Sequence, residues 1–137
     1  MNIYPVIFTQ TNDKEDTYLV YIPDLDGATE GKGLNDAFLM AKDYIGNALY
    51  LKSNDEIPAA SLIESVDVSQ SEFAECGKSF VSLVDVNLDE FRMARKTKTV
   101  RRNITLPEWL DDMAAKAKIN VSAVTQAALK EKLNITL

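Results

Sequence analysis

The charge of this chain changes sign after residue 90, and that division limits how it can be built. Residues 1–90 carry five Lys, no Arg and 17 Asp or Glu, a net charge of −12; residues 91–137 carry ten Lys or Arg and four Asp or Glu, a net charge of +6. An acidic front joined to a basic back reads as two parts that meet different partners. The change is steepest in Arg92–Arg102 (RMARKTKTVRR), where six of eleven residues are basic and none is acidic. Charges are screened beyond about 8 Å at physiological salt. The local strip, rather than the overall −6, therefore decides whether phosphate is attracted. With 137 residues, 46% hydrophobic and 26% charged, the composition is that of one or two small globular domains.

Residue types that are missing narrow the chemistry. The chain has no histidine, which removes every mechanism that needs an imidazole base or a Ser-His or Cys-His pair. Its single cysteine, Cys76, has no partner for an internal disulfide, and without a CxxC or a histidine no tetrahedral zinc site can be assembled. No uncharged apolar run approaches the roughly 18 residues of a bilayer crossing. Met1–Pro5 lacks the basic start of a secretory signal, so a cytoplasmic protein without a membrane association is expected. Gly27–Gly33 (GATEGKG) lacks the spacing of a phosphate loop and the hydroxyl after Lys32, and reads as a turn. No cofactor or resident metal is expected.

Along the front part, Ile3–Thr9 (IYPVIFT) and Thr17–Ile22 (TYLVYI) flank a polar turn and read as an antiparallel hairpin, with Pro5 at a strand start or on an edge. Pro23–Gly27 breaks it, and Ala28–Glu30 leaves room for a brief third strand before Gly31-Lys32-Gly33. From Leu34 to about Lys52, apolar residues at 34, 38, 41, 45 and 48, with Ala37 and Leu49 beside them, have helical spacing and should cover one sheet face. Ala59–Lys78 is mixed: Leu62–Val68 suggests an extended piece and Ser71–Ala74 a turn of helix. Phe80–Leu88 (FVSLVDVNL) is dense enough in apolar residues to lie centrally in the sheet. The expected division is a domain over 1–90, a basic linker over 91–97 and a second domain over 98–137.

The back part reads as one strand, Val100–Leu106, then Pro107 and two helices. Leu110, Met113, Ala114 and Ala117 share one face of the first helix. Val124, Ala128, Leu129 and Leu133 share a face of the second, which Ser122 is placed to cap. A lone strand has no ladder partner and two short helices bury too little to be stable, so a second copy is expected: two strands pair about a two-fold axis above four helices. Such a ribbon fits the major groove of DNA. Strand alternation places Arg101, Asn103 and Thr105 together on the outer face, where Arg can donate two bonds to guanine, Asn can pair with adenine and Thr offers a hydroxyl and a methyl. Lys98, Arg102 and the N–H groups of Ser122 and Ala123 are the expected phosphate contacts.

Thr99-Val100-Arg101-Arg102-Asn103-Ile104-Thr105-Leu106-Pro107, followed by the two helices, resembles the ribbon-helix-helix repressors over residues 98–133, with Lys118 where these domains usually have glycine and Asn120 as the alternative left-handed residue. The front part, with its hairpin, Asp24-Leu25-Asp26-Gly27, Gly31-Lys32-Gly33-Leu34 and amphipathic helix, resembles the N-terminal domain of HicB-type antitoxins. The resemblance implies an α+β protein: a β-β-β-α-β, catalytically inactive RNase-H-like domain followed by a β-α-α ribbon-helix-helix dimerisation domain. It implies a non-enzymatic antitoxin that masks a small basic, mRNA-cleaving HicA-like toxin and represses its own operon by binding operator DNA. The expected homodimer forms through the back domain, with pairing of dimers into tetramers left open. A −12 front that repels DNA and steers a cationic partner agrees with that division of labour. Tyr18, Tyr21, Asp24 and Asp26 are the candidate toxin contacts.

Two other readings stay open on the residues alone. Asp24, Asp26, Glu30 and Asp85 could form a carboxylate set for metal-dependent nucleic-acid cleavage, although the helix offers only Asp36 and Asp43 and its stripe turns both away. Alternatively, the front domain could sense a small molecule on behalf of a DNA-binding repressor.

Overall fold

A computed structural model describes residues 1–95 and 99–135. The chain divides into two compact units, Met1–Arg95 and Lys96–Leu137. The α+β expectation holds, with four antiparallel strands and four α-helices among the described residues.

In the first unit the order is β1 (Asn2–Thr11), β2 (Thr17–Ile22), β3 (Gly27–Lys32), α1 (Leu34–Leu49), β4 (Gly77–Val86) and α2 (Leu88–Arg95). The sheet order is β3-β2-β1-β4, so β1 is central and β4 is an edge, the reverse of what composition suggests. The reason lies in which residues are covered. Tyr4 to Thr9 are all buried, so β1 has packing on both faces, whereas Phe80 and Leu83 of β4 remain 39% and 48% exposed. Pro5 is tolerated inside a central strand because β2 registers with β1 only from Ile7 onward. Opposite Leu83 of β4, its ring nitrogen must face away from that ladder.

Alternation assigns the faces. Tyr4, Val6, Phe8, Val20, Ile22, Val84 and Val86 join Ala37, Ala41, Ile45 and Leu49 of α1 in one core cluster. The buried stripe of α1 therefore runs at strict four-residue spacing, turned slightly from the expected one, and leaves Leu34 44% exposed. Phe8 is sandwiched between Phe38 (centroids 4.4 Å apart) and Phe80 (5.3 Å). Each fully buried aliphatic side chain contributes about 1.5–3 kcal/mol.

On the other face, Pro5, Ile7 and Thr9 are covered without a second helix. The segment 50–76 is tethered first at Pro58, whose carbonyl accepts from the Tyr4 hydroxyl (2.7 Å), and at Ser61, whose N–H donates to Asp24 (3.0 Å). It ends beyond the far end of β1, where Asn12 N–H donates to Cys76 C=O (3.0 Å). Between these points it forms two short 3-10 turns, Ile63–Ser65 and Val68–Gln70, rather than an extended piece. Asp67 and Gln70 close the second in a reciprocal capping box.

Residues 91–95, expected to begin a linker, belong to α2 and dock on α1. Gly46 makes this possible: a Cβ there would lie 2.2 Å from the Phe91 ring. Arg92 Nε donates to the Tyr50 carbonyl (2.8 Å) and Nη1 to Asp89 (2.7 Å), while Arg95 reaches Asn47 and Asp43. Two of the six basic residues of the Arg92–Arg102 strip are thus held inside the acidic unit.

The second unit contains α3 (Glu108–Lys116) and α4 (Val121–Lys132), neither of which has a buried residue. Residues 99–107 form no strand in the single chain. A strand is defined by its ladder, and one copy of this segment has nothing to pair with. Lys118 itself takes the left-handed conformation of the interhelical turn, φ +54°, while Asn120 is extended at φ −80°.

Candidate nucleic-acid and partner interfaces

In the second unit the DNA-facing candidates stand on open backbone. Arg101, Arg102, Asn103 and Thr105 are all exposed in the irregular segment 99–107. Arg102, expected to meet phosphate, is as open as its neighbours. Lys98 lies outside the described residues. Pro107 precedes α3 rather than opening it, and its carbonyl accepts from Leu110 N–H (3.0 Å) and Asp111 N–H (3.1 Å).

The start of α4 differs from the expected cap. Asn120, not Ser122, is the N-cap, and its Oδ1 accepts from Ala123 N–H at 3.1 Å. The Ala123 donor expected to meet phosphate is therefore already engaged, and the Ser122 hydroxyl takes a bond from Gln126 Nε2 (3.3 Å). Val121 and Thr125 are the half-buried positions near this end, so the covered face begins at 121. A periodicity started from Val121 places Asn120 at the cap.

In the first unit the four partner-contact candidates do not share a surface. Tyr18 packs against the core cluster on the α1 face, whereas alternation turns Tyr21 to the opposite face. Tyr21 Oη donates to Asp26 Oδ1 at 2.9 Å. That bond to a carboxylate, with burial and the Asp26 and Glu72 charges, raises the phenol above its ordinary value. Asp26 accepts the hydroxyl from a left-handed backbone position, φ +46°. Asp24 is a structural residue here: its two oxygens receive the N–H and the hydroxyl of Ser61.

The carboxylates imagined as a metal set are dispersed. Asp24 holds Ser61, Asp85 pairs with Lys42 (3.3 Å), Asp36 accepts from Lys32 N–H (2.8 Å), and Asp43 pairs with Arg95 (3.2 Å). Among the described residues no three His, Cys, Asp or Glu side chains are grouped to hold a metal. Cys76 is a free, exposed thiol. No helix among the described residues is long and apolar enough to cross a membrane.

The missed features are arginines. Arg92 and Arg95 read as linker charge because a run of like charges suggests solvent. Their spacing of three residues on a helical face, with Phe91 beside them, was the available signal.

No curated protein sequence matches the chain. Among solved structures, the crystal structure of the antitoxin HicB from Burkholderia pseudomallei is similar, with 22% identity over 98% of each chain and a TM-score of 0.44. The sequence model described as HicB-like antitoxin of bacterial toxin–antitoxin systems matches residues 4–129, most of both units. On that match the chain belongs to the HicB-like antitoxin family.

Proposed function

We propose that this chain is a cytoplasmic, non-enzymatic antitoxin that neutralises a basic, HicA-like mRNA-cleaving toxin through its acidic first unit, a degenerate RNase-H-like domain. Its second unit, paired with that of another copy as a ribbon-helix-helix dimer, binds operator DNA and represses the operon. One observation carries the DNA-binding half: the second unit has no buried side chain in either helix, yet Val100, Ile104, Leu110, Met113, Val124 and Leu129 are all exposed. So much bare apolar surface in so short a segment supports a unit completed by a second copy. Pairing two 99–107 segments would supply the missing ladder and set Arg101, Asn103 and Thr105 on its outer face. Lys98, Arg102 and the Ser122 amide are the proposed phosphate contacts, and pairs of dimers could assemble into tetramers.

The acidic first unit gives the toxin half its physical basis, because a net −10 over residues 1–95 repels nucleic acid and draws a cationic protein. Tyr21 and Asp26 remain a proposed contact; Tyr18 and Asp24 are weaker ones, given their packing and bonding roles. The test is binding of the purified chain to DNA from upstream of its own gene. Affinity falls steeply with salt, and Asn103→Ala costs about 1–3 kcal/mol and relaxes the preference at one base position. An Asn103→Ala protein that binds the operator as the parent does would remove the ribbon from the account. Growth rescue on co-expression with the adjacent reading frame tests the toxin half. Turnover of RNA with Mg²⁺ or Mn²⁺ that stops on chelation would overturn the non-enzymatic reading.

A further inference from the structure

We propose that Asp43 and Asn47 form a guanidinium-exchange site on α1, occupied in the free protein by the chain's own Arg95 and taken over by an arginine of a basic protein partner. The site is already built around such a group. Arg95 Nε donates to Asn47 Oδ1 (2.9 Å), its Nη2 donates to Asp43 Oδ1 (3.2 Å), and its guanidinium lies 4.5 Å from the centre of the Phe91 ring. A carboxylate, an amide oxygen and an aromatic face together suit an arginine better than a lysine.

Two features make the occupant exchangeable. The ion pair is open to solvent, with the side chains of Arg95 and Asp43 35% and 51% exposed, so water can replace it at little cost. A groove of about 440 Å³ also reaches Asp43 and Asn47, bounded by Thr29, Met40, Tyr44 and Ala48. Met40 and Ala48 offer an apolar path for an incoming aliphatic stem. Asp43 Oδ2 makes no bond among the described residues, so a second guanidinium can engage before the first leaves. The occupant is identified by charge: the unit that carries the groove is strongly acidic, so the protein it attracts is basic. When Arg95 is displaced, α2 keeps Leu88, Phe91 and Arg92 as anchors and loses only the tie between its C-terminal end and α1.

The inference rests on the reading of the first unit as the partner-binding part, and the experiment separates the two. The basic protein encoded by the adjacent reading frame is titrated into the full-length chain and its variants. Asp43→Asn weakens binding roughly tenfold, because the partner's arginine loses its carboxylate. Arg95→Gln tightens it about threefold, because the internal competitor is gone. Asp85→Asn, which removes the same charge elsewhere on the unit, stays within about twofold of the parent. Equal losses for Asp43→Asn and Asp85→Asn, or weaker binding by Arg95→Gln, overturn the exchange site. If the parent does not bind that protein at all, the partner reading fails, and ethylguanidinium decides the site by itself. Saturable NMR shifts of the Asn47 side-chain amide and Arg95 Nε–H, lost in Asp43→Asn, support it, and unshifted signals refute it.

Discussion

Of the four non-glycine residues at positive φ among the described residues, Lys118 and Asp26 each make a prediction. Lys118 sits at φ +54° in the turn between α3 and α4, where its Cβ is crowded and glycine would be free. Lys118→Gly is expected to stabilise the second unit by about 0.5–1 kcal/mol, read as a higher denaturation midpoint. Asp26, at φ +46°, tolerates the same region as Asp commonly does and uses it to meet the Tyr21 hydroxyl. Because the carboxylate accepts that proton, the folded phenol titrates above its ordinary value near 10. The neutral phenol's contribution is fully present below the unfolded value and is lost as pH rises through the raised folded one. The Tyr21 ¹³Cζ resonance therefore titrates above the ordinary tyrosine midpoint, and Asp26→Asn moves it back. An unmoved midpoint would mean that the hydrogen bond is not made in solution.

At the scale of elements, α2 decides where the acidic unit ends, and Gly46 decides whether α2 can dock. Alanine at 46 would gain about 1 kcal/mol of helix propensity, but its Cβ would meet the Phe91 ring at 2.2 Å. The clash wins, so Gly46→Ala destabilises the unit by about 1–2 kcal/mol, within the usual cost of overpacking. In a Phe91→Ala background the same change becomes stabilising, and a denaturant double-mutant cycle shows the reversal of sign. The hairpin, β3 and α1 were legible in the sequence because their signals are local: period-two runs, a Pro-Gly break and a four-residue stripe. The β3-β2-β1-β4 order was not, because composition reports how apolar a strand is and not which neighbours cover it. Phe80 and Leu83 made β4 look central, whereas Pro5 hid the centrality of β1. α2 was hidden by its own arginines, whose partners Tyr50, Asn47 and Asp43 lie more than forty residues away. The cap lies two residues before Ser122 because Asn120 is an equally good cap and the helix begins at Val121. The proposed base contacts of Arg101, Asn103 and Thr105 rest on alternation alone, and alternation has meaning there only if a second copy supplies the ladder.

At the scale of the molecule, the two units differ in what makes each one stable. The first owns a core of strands and helix in a single chain. The second leaves nine large apolar side chains between Val100 and Leu133 more than a third exposed. Burying them requires another surface, and if that surface is a second copy, the stability of the second unit depends on concentration while that of the first does not. Thermal unfolding followed by circular dichroism should then show two transitions. The helical one, from α3 and α4, moves upward with protein concentration. Each tenfold increase favours the associated form by about 1.4 kcal/mol per mole of dimer. The sheet transition stays in place. Lowering the concentration from about 100 μM to 1 μM, around the micromolar range where an 8 kcal/mol association is half complete, should melt the helices first and abolish operator binding with them. A helical transition that ignores concentration over that range would mean that one copy of the second unit folds unaided, and the paired ribbon would lose its physical reason.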